Sequence, residues 1–164
     1  MNETAATIDP KTEQDQIAAL HLRWMNALVR NEGDPNLDFR SDLGDLYDFE
    51  SPDVVLYDDF DPERRVARSA DEYAAIWEPV FASVHTTRHA VSDGPHVLTG
   101  EGSLAASWLQ FNGRVRMPDG GVLEFLSTSS MVFHRTGSGW RIAREHNSTV
   151  VLPTGTLDPV FGPV

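Results

Sequence analysis

Residues 104–151 read LAASWLQFNGRVRMPDGGVLEFLSTSSMVFHRTGSGWRIAREHNSTVV, and this stretch decides the fold class. Three segments within it are rich in β-branched and aromatic residues: Leu104–Met117, Leu123–His134 and Trp140–Val151. Glycine-containing runs of the kind that form tight turns separate them. The pattern therefore predicts three long strands that pair as antiparallel neighbours in sequence order.

Strand-like sequence continues on the N-terminal side of this stretch. His85–Leu98 has the same composition and extends the meander to four long strands. Asp93-Gly94-Pro95 interrupts this segment, so we expect a bulge or a sharp bend there. A short β-branched run, Asp53–Tyr57, predicts one further strand earlier in the chain.

Helical patterns occupy the rest of the first half. Thr12 fits an N-cap, and apolar residues then recur at helical spacing at Ile17, Leu20, Trp24 and Leu28. A shorter helix is predicted over Leu37–Phe49. The run Ser69–Glu72 reads as a capping box that opens a third helix. Pro79 lies inside that third pattern, and we expect it to kink or end the helix.

The order of these elements indicates a single α+β domain. A strongly curved antiparallel sheet needs its concave face covered, and the amphipathic helices are the available filler. We predict a cone-shaped α+β barrel whose open end forms a pocket. Expected boundaries are a flexible N-terminus over residues 1–11, the barrel over 12–151 and an extended Pro/Gly-rich tail over 152–164. The tail is expected to lie over the barrel mouth or to hang free.

Charge and composition narrow the class of partner. The 164 residues carry a net charge of −12, from 13 Lys and Arg against 25 Asp and Glu. Most of such a surface repels a phosphate backbone, so we expect no nucleic-acid partner. The sequence holds no apolar run near the roughly 20 residues of a membrane span, no secretory signal and no cysteine. We therefore expect a cytoplasmic protein without a membrane partner.

Three motifs resemble the nuclear transport factor 2-like superfamily, and especially its SnoaL-like members. Trp140–Ser148, WRIAREHNS, is similar to the closing strand of those domains. Thr86–Gly102 resembles a segment that places a histidine before a glycine-containing turn, and Asp53–Asp58 resembles their first strand. The resemblance covers roughly residues 12–150. It implies the cone-shaped fold but leaves the activity open, because the superfamily includes isomerases, dehydratases, cyclases, hydrolases and non-catalytic scaffolds.

Asp58 is the first candidate catalytic residue. By position it resembles the carboxylate that moves a proton next to a carbonyl in the ketosteroid isomerase branch, a role that suits a partly buried acid. The partner groups of that branch do not match: Trp24 stands where a tyrosine is expected, and Ser130 lies near the position of an expected acid. The alternative is a surface carboxylate at the end of a strand.

His89 is the second candidate catalytic residue. By position it resembles the acid/base histidine of scytalone dehydratase-like proteins, and an ordinary pKa near 6.5 suits that role. The alternative is a strand histidine that is hydrogen-bonded to backbone. His85 and His89 do not predict a metal site, because four residues of a strand span about 13 Å.

The expected substrate-binding residues are Trp24, Tyr57, Trp77, Trp108, Ser130 and His146. The aromatic members suit a flat ring-shaped ligand, although aromatic residues at such spacing also form ordinary cores. By two-residue alternation, His146 and Ser148 share a strand face with Trp140, Ile142 and Arg144. This face is expected either to line the pocket or to form a subunit interface.

Two functions of different classes remain open. The first is a lyase or isomerase without cofactor or metal, in which Asp58 and His89 move a proton on a hydrophobic, ring-containing carbonyl compound. The second is a non-catalytic ligand-binding or dimerisation module of the same fold. In both cases we expect a homodimer that packs the outer faces of two sheets, since an open sheet carries apolar residues on both faces.

Overall fold

The computed structural model describes residues 10–100 and 102–164. The segment predicted to be flexible, residues 1–11, lies outside this part apart from Pro10 and Lys11, which begin the first helix. The elements are α1 Pro10–Ala27, α2 Phe39–Leu43, β1 Val55–Asp58, β2 Val66–Ala67, α3 Ala70–Ala82, β3 Thr86–Thr99, β4 Leu104–Arg116, β5 Val122–Thr136, β6 Gly139–Leu152 and α4 Asp158–Phe161.

The six strands form one curved sheet in the order β2-β1-β6-β5-β4-β3. Neighbouring strands are antiparallel except for β1 and β6. These two run parallel and place Asp58 opposite Asn147. The sheet does not close, and the N-terminal helices cover its concave inner face. The predicted cone-shaped α+β fold is therefore confirmed.

Each of the four long strands begins and ends within two residues of its predicted bounds. The predicted interruption of β3 is present as register shifts between Val91 and Asp93 and between Asp93 and His96. The sequence did not predict β2, because two residues are too few to show an alternating pattern.

The second helix is much shorter than predicted. Asp38 caps α2 by accepting a hydrogen bond from the Ser41 amide at 2.9 Å, and the helix ends at Leu43. The residues that follow are buried as expected, but not as helix. The Leu46 carbonyl instead accepts a hydrogen bond from the Ile142 amide at 2.7 Å, which ties this segment to β6.

The predicted N-cap of α3 is confirmed by the hydrogen bond between the Ser69 side chain and the Glu72 backbone. The Ser69 hydroxyl accepts a hydrogen bond from the Glu72 amide at 3.1 Å. Pro79 does not end the helix, which continues to Ala82. The carbonyl that loses its donor belongs to Ala75, and this residue lies on the exposed side of α3, where water can replace the missing bond.

A buried histidine fixes α1 on the inner face of the sheet. The His21 ring nitrogens lie 2.7 Å from the Ser107 hydroxyl on β4 and 3.0 Å from the Ser129 hydroxyl on β5. Burial lowers the pKa of His21 to about 3, so the ring is neutral at physiological pH. His21 is thus a core residue, and it holds the helix that carries Trp24.

The C-terminal tail is packed rather than extended or free. Arg114 on β4 forms ion pairs of 2.6 Å with Glu124 on β5 and of 2.7 Å with Asp158 on α4. Glu124 also accepts a hydrogen bond from the backbone amide of the buried Leu157 at 2.9 Å. These bonds hold the tail against the outer face of β4 and β5. Within the described residues, no helix has the length and apolar character to cross a membrane.

Candidate active site

A cavity of about 210 Å³ lies between the helices and the inner face of the sheet. This volume is below the roughly 300–1,000 Å³ of pockets for drug-sized ligands. Most of its wall is apolar, and its aromatic residues include Trp24, Phe60, Trp77, Phe81, Phe111 and Phe125. The cavity therefore suits a compact apolar molecule.

Asp58 reaches this cavity from the last position of β1. Its Oδ1 accepts a hydrogen bond from the Phe60 amide at 2.9 Å, and its Oδ2 accepts one from the Asn147 side chain at 3.0 Å. Burial nevertheless raises the pKa of Asp58 to about 6, because the two hydrogen bonds only partly compensate for lost hydration. Asp58 can therefore exchange a proton near neutral pH.

Glu145 on β6 is a second buried carboxyl in the same wall. It accepts hydrogen bonds from the Tyr47 hydroxyl at 2.5 Å, the Tyr73 hydroxyl at 2.7 Å and the Asn147 side chain at 2.7 Å. Burial raises the pKa of Glu145 to about 7, and the nearby negative charge of Asp58 acts in the same direction. At neutral pH a large share of Glu145 therefore carries a proton.

Asn147 joins the two carboxyls into one unit. Its side-chain Nδ2 has two hydrogens, and it donates to both Asp58 and Glu145. The network continues on the other side of Glu145, because the Trp24 indole donates to the Tyr47 hydroxyl at 2.9 Å. Two acids this close in a buried wall titrate as a pair, so ionising one makes it harder to ionise the other.

His89 lines the cavity from β3. Its Nδ1 lies 3.0 Å from the Met25 carbonyl oxygen, which can only accept, so Nδ1 carries the hydrogen and Nε2 keeps its lone pair. Burial lowers the pKa of His89 to about 4, so the ring is neutral at pH 7. Gly113 lies opposite His89 in β4, where a Cβ atom would collide with the Phe125 ring.

Four of the predicted site residues meet in this cavity: Asp58, His89, Trp24 and Trp77. The other four lie on the outer face of the sheet, where they line a second concave surface instead of this cavity: Tyr57, Trp108, Ser130 and His146. Neighbouring residues of a strand point to opposite faces, so Tyr57 cannot share the wall of Asp58. The four form a row across the sheet, in which the Tyr57 and His146 ring centroids are 5.0 Å apart.

The prediction that five residues of β6 share one face is wrong, because β6 contains a bulge. Val132 pairs with Arg144 while Phe133 pairs with Ile142, which leaves Ala143 as an extra residue. Trp140 and Ile142 consequently point inward and are buried, whereas Arg144, His146 and Ser148 are exposed on the outer face. The five residues do not share one face, because the bulge reverses the alternation between them.

Sequence reasoning missed four residues near Asp58, which are Tyr47, Tyr73, Glu145 and Asn147, and also Thr87 at the β3 end of the cavity. The available signal was the alternation of β6 itself. Glu145 and Asn147 interleave with His146 and Ser148, so they had to occupy the opposite face. Within residues 10–100 and 102–164, no group of three or more His, Asp or Glu side chains could hold a metal ion.

Solved structures share this fold at low sequence identity. A nuclear transport factor 2-like superfamily protein from Salmonella enterica serovar Typhimurium is 16% identical, with a TM-score of 0.71 over 90% of this chain and 97% of that one. A candidate aromatic ring hydroxylase from Novosphingobium aromaticivorans is 19% identical, with a TM-score of 0.70 over 92% and 98%. A candidate dehydratase of the NTF2-like family from Streptomyces avermitilis is 20% identical, with a TM-score of 0.69 over 87% and 99%.

At these identities the structural likeness shows the fold alone. No curated protein matches the sequence. The sequence profile of the SnoaL-like domain family, however, matches residues 40–153, which is well over half of the chain. Its fold is the one seen in the NTF2-like protein from Salmonella, and the protein belongs to the SnoaL-like domain family.

Proposed function

We propose that this protein is a cofactor-independent lyase or isomerase that moves a proton next to the carbonyl of a compact, hydrophobic, ring-containing molecule. One observation carries the proposal. Two carboxyls with raised pKa values, Asp58 and Glu145, and a neutral histidine with a free acceptor nitrogen, His89, line the same mostly aromatic cavity. Acid/base catalysis commonly uses titratable groups in a cleft whose pKa values are shifted toward neutral pH.

The proposed step begins at Asp58, which is mostly ionised at neutral pH. Its carboxylate removes a proton from the carbon next to the carbonyl, and the C–H bonding pair moves toward the carbonyl oxygen. The protonated share of Glu145 supplies a donor for that oxygen from the same wall. Return of the proton to another carbon completes an isomerisation. Loss of a hydroxyl from the next carbon, combined with that proton as water, completes a dehydration.

His89 contributes to the other side of the ligand. Its Nε2 is an acceptor, so it can take a hydrogen bond or a proton from a ligand hydroxyl that faces it. The candidate dehydratase from Streptomyces avermitilis agrees with lyase chemistry, although its likeness extends to the fold alone.

The second candidate is a ligand-binding or dimerisation module without turnover. It is favoured by the three hydrogen bonds that Glu145 already accepts within the protein, since a carboxyl satisfied in this way can be a purely structural element. This function predicts binding of the same ligands without proton exchange.

Deuterium exchange separates the two candidates. Cyclohexanone, 1-indanone and 2-tetralone are incubated with the protein in D2O, and incorporation next to the carbonyl is followed by NMR. We expect the wild type to exceed buffer alone and Asp58→Asn to lose most of the excess, whereas His89→Gln should change it little, because these ketones carry no hydroxyl for Nε2. The matched controls are Asp53→Asn, at an exposed position, and His146→Gln, on the outer face. Binding without exchange would instead favour the non-catalytic module.

A further inference from the structure

The Thr87 hydroxyl is buried in the cavity wall and has no partner there. Thr87 is 2% exposed, and no hydrogen bond to its Oγ1 is found within residues 10–100 and 102–164. Its backbone is fully engaged, because the amide donates to the Arg30 carbonyl at 2.9 Å and the carbonyl accepts from the Arg30 amide at 3.0 Å. A buried hydroxyl is normally paired, so this one points to a ligand atom as its missing partner.

Thr87 and His89 form one polar end of the cavity. They are two residues apart on β3, so they face the same side at a spacing of about 7 Å. Asp58 and Glu145 belong to β1 and β6, and β5 and β4 separate these strands from β3 in the sheet. β4 and β5 supply the Phe111 and Phe125 rings to the wall between the two ends, together with the Ser127 hydroxyl, which accepts a hydrogen bond from Thr149 at 3.1 Å. The cavity thus has two polar ends with a mostly apolar floor between them.

The chemistry of the Thr87 end defines the group that fits it. His89 offers the bare Nε2 acceptor, and Thr87 offers a hydroxyl that can donate. A ligand hydroxyl satisfies both, because it donates to one and accepts from the other. A ketone or an ether only accepts, and a carboxylate has no hydrogen for Nε2.

The charge of the cavity excludes anionic ligands. In the part of the chain that the structure describes, no Lys or Arg side chain lines it. The charged groups that do line it are the carboxyls Asp58 and Glu145, so a ligand carboxylate would be buried without a counter-charge.

We propose that Thr87 is a specificity-determining residue, which binds with His89 a neutral hydroxyl at the far end of a ring-sized ligand whose carbonyl faces Asp58 and Glu145. The substrate class is therefore an uncharged cyclic hydroxyketone rather than a keto acid. This inference rests on the function proposed for the site and names the ligand that it takes.

The test measures binding of three matched probes by isothermal titration calorimetry: 4-hydroxycyclohexanone, cyclohexanone and 4-oxocyclohexanecarboxylate. Because the two added hydrogen bonds replace bonds that the ligand hydroxyl makes with water, their net gain is modest, and we expect the hydroxyketone to bind about tenfold more tightly than cyclohexanone. The carboxylate is expected not to bind. In Thr87→Val, which keeps the shape and removes the hydroxyl, the tenfold preference should fall to about threefold or less. Thr128→Val removes a hydroxyl from the outer face and serves as the control.

Three results would overturn the inference: an unchanged preference in Thr87→Val, binding of the carboxylate as tightly as the hydroxyketone, or no binding of any probe at millimolar concentration. Deuterium exchange by the wild type tests the proposed function separately. Exchange together with an unchanged preference in Thr87→Val would leave the proposed function standing and remove Thr87 from the site.

Discussion

The hydroxyl of Tyr47 donates a 2.5 Å hydrogen bond to Oε2 of Glu145, across 98 positions of the sequence. This bond joins the segment after α2 to β6 inside the cavity wall. It favours the ionised form of Glu145, yet burial outweighs it and the pKa of this carboxyl remains near 7. Glu145 is therefore an acid held in place by its neighbours, and its proton affects both chemistry and stability.

Glu145→Gln should change the pH dependence of stability. The groups that face Glu145 are Tyr47, Tyr73 and Asp58. Since the folded pKa of about 7 lies above the ordinary glutamate value of 4.5, the wild type should lose stability as pH rises between these values. Glutamine cannot ionise, so the unfolding free energy of the variant should rise by about 3 kcal/mol relative to that of the wild type between pH 4.5 and 8. Urea unfolding of both proteins at several pH values measures the difference.

The unfolding free energies of the wild type and Glu145→Gln should be compared at each pH, because two histidines change the stability of both proteins in the opposite direction. Burial lowers the pKa values of His21 and His89 to about 3 and about 4, so each destabilises the fold as pH falls below 6.5. That effect is common to wild type and variant and cancels. A pH-independent difference would contradict the burial of an acidic Glu145.

Asp58→Asn should reduce activity without destabilising the protein at pH 8. Burial raises the pKa of Asp58 to about 6, so the wild type buries a charge at alkaline pH that the variant lacks. Relative to the wild type, the variant should gain about 2–3 kcal/mol in unfolding free energy between pH 4 and pH 8. Thermal melts at the two pH values and the exchange assay check this. Full exchange activity in Asp58→Asn would show that Asp58 is not the base.

Thr87→Val should make the ligand-free protein more stable. An unpaired buried hydroxyl costs about 1–3 kcal/mol, and valine fills the same volume without it. We expect the free energy of unfolding in urea to rise by about 1 kcal/mol. A loss of stability would mean that the hydroxyl has a structural partner within the protein.

The outer face of the sheet should form a homodimer. Leu98 is 76% exposed at one end of this face and Val150 is 62% exposed at the other, and Trp108 lies between them. Trp108→Glu and His146→Ala should therefore shift the protein toward monomer, as measured by light scattering at micromolar concentration. Ser138→Glu, in the exposed turn before β6, should not. A stable wild-type monomer at this concentration would contradict the prediction.

The long strands could be predicted from sequence because the residues that begin and end them are adjacent to them in the chain. Turn residues such as Pro118–Gly121 and Thr136–Gly139 end one strand and begin the next, and alternation fixes which side chains are buried. The end of α2 was harder to predict, since the segment around Leu46 is buried by a backbone bond to Ile142 rather than by helical periodicity.

The paired carboxyls depend on a contact that no local pattern contains. β1 and β6 run parallel with Asp58 beside Asn147, two segments almost 90 residues apart. Sequence reasoning selected Asp58 and His89, but assigned Tyr57 to the wrong face. Alternation along β6 separates Glu145 from His146, but which of the two faces the cavity depends on the β1–β6 register and on the Ala143 bulge.

The interruptions in β3 also affect how the protein behaves in concentrated solution. β3 is a terminal strand of the sheet, and beyond Thr87, whose free edge pairs with Arg30, a straight strand would expose a row of backbone donors and acceptors to other molecules. The shifts between Val91 and His96 break that row, and Asp93 places a charge within it. The bend therefore protects the chain from edge-to-edge polymerisation, and a variant with a regular β3 would form fibrous aggregates more readily.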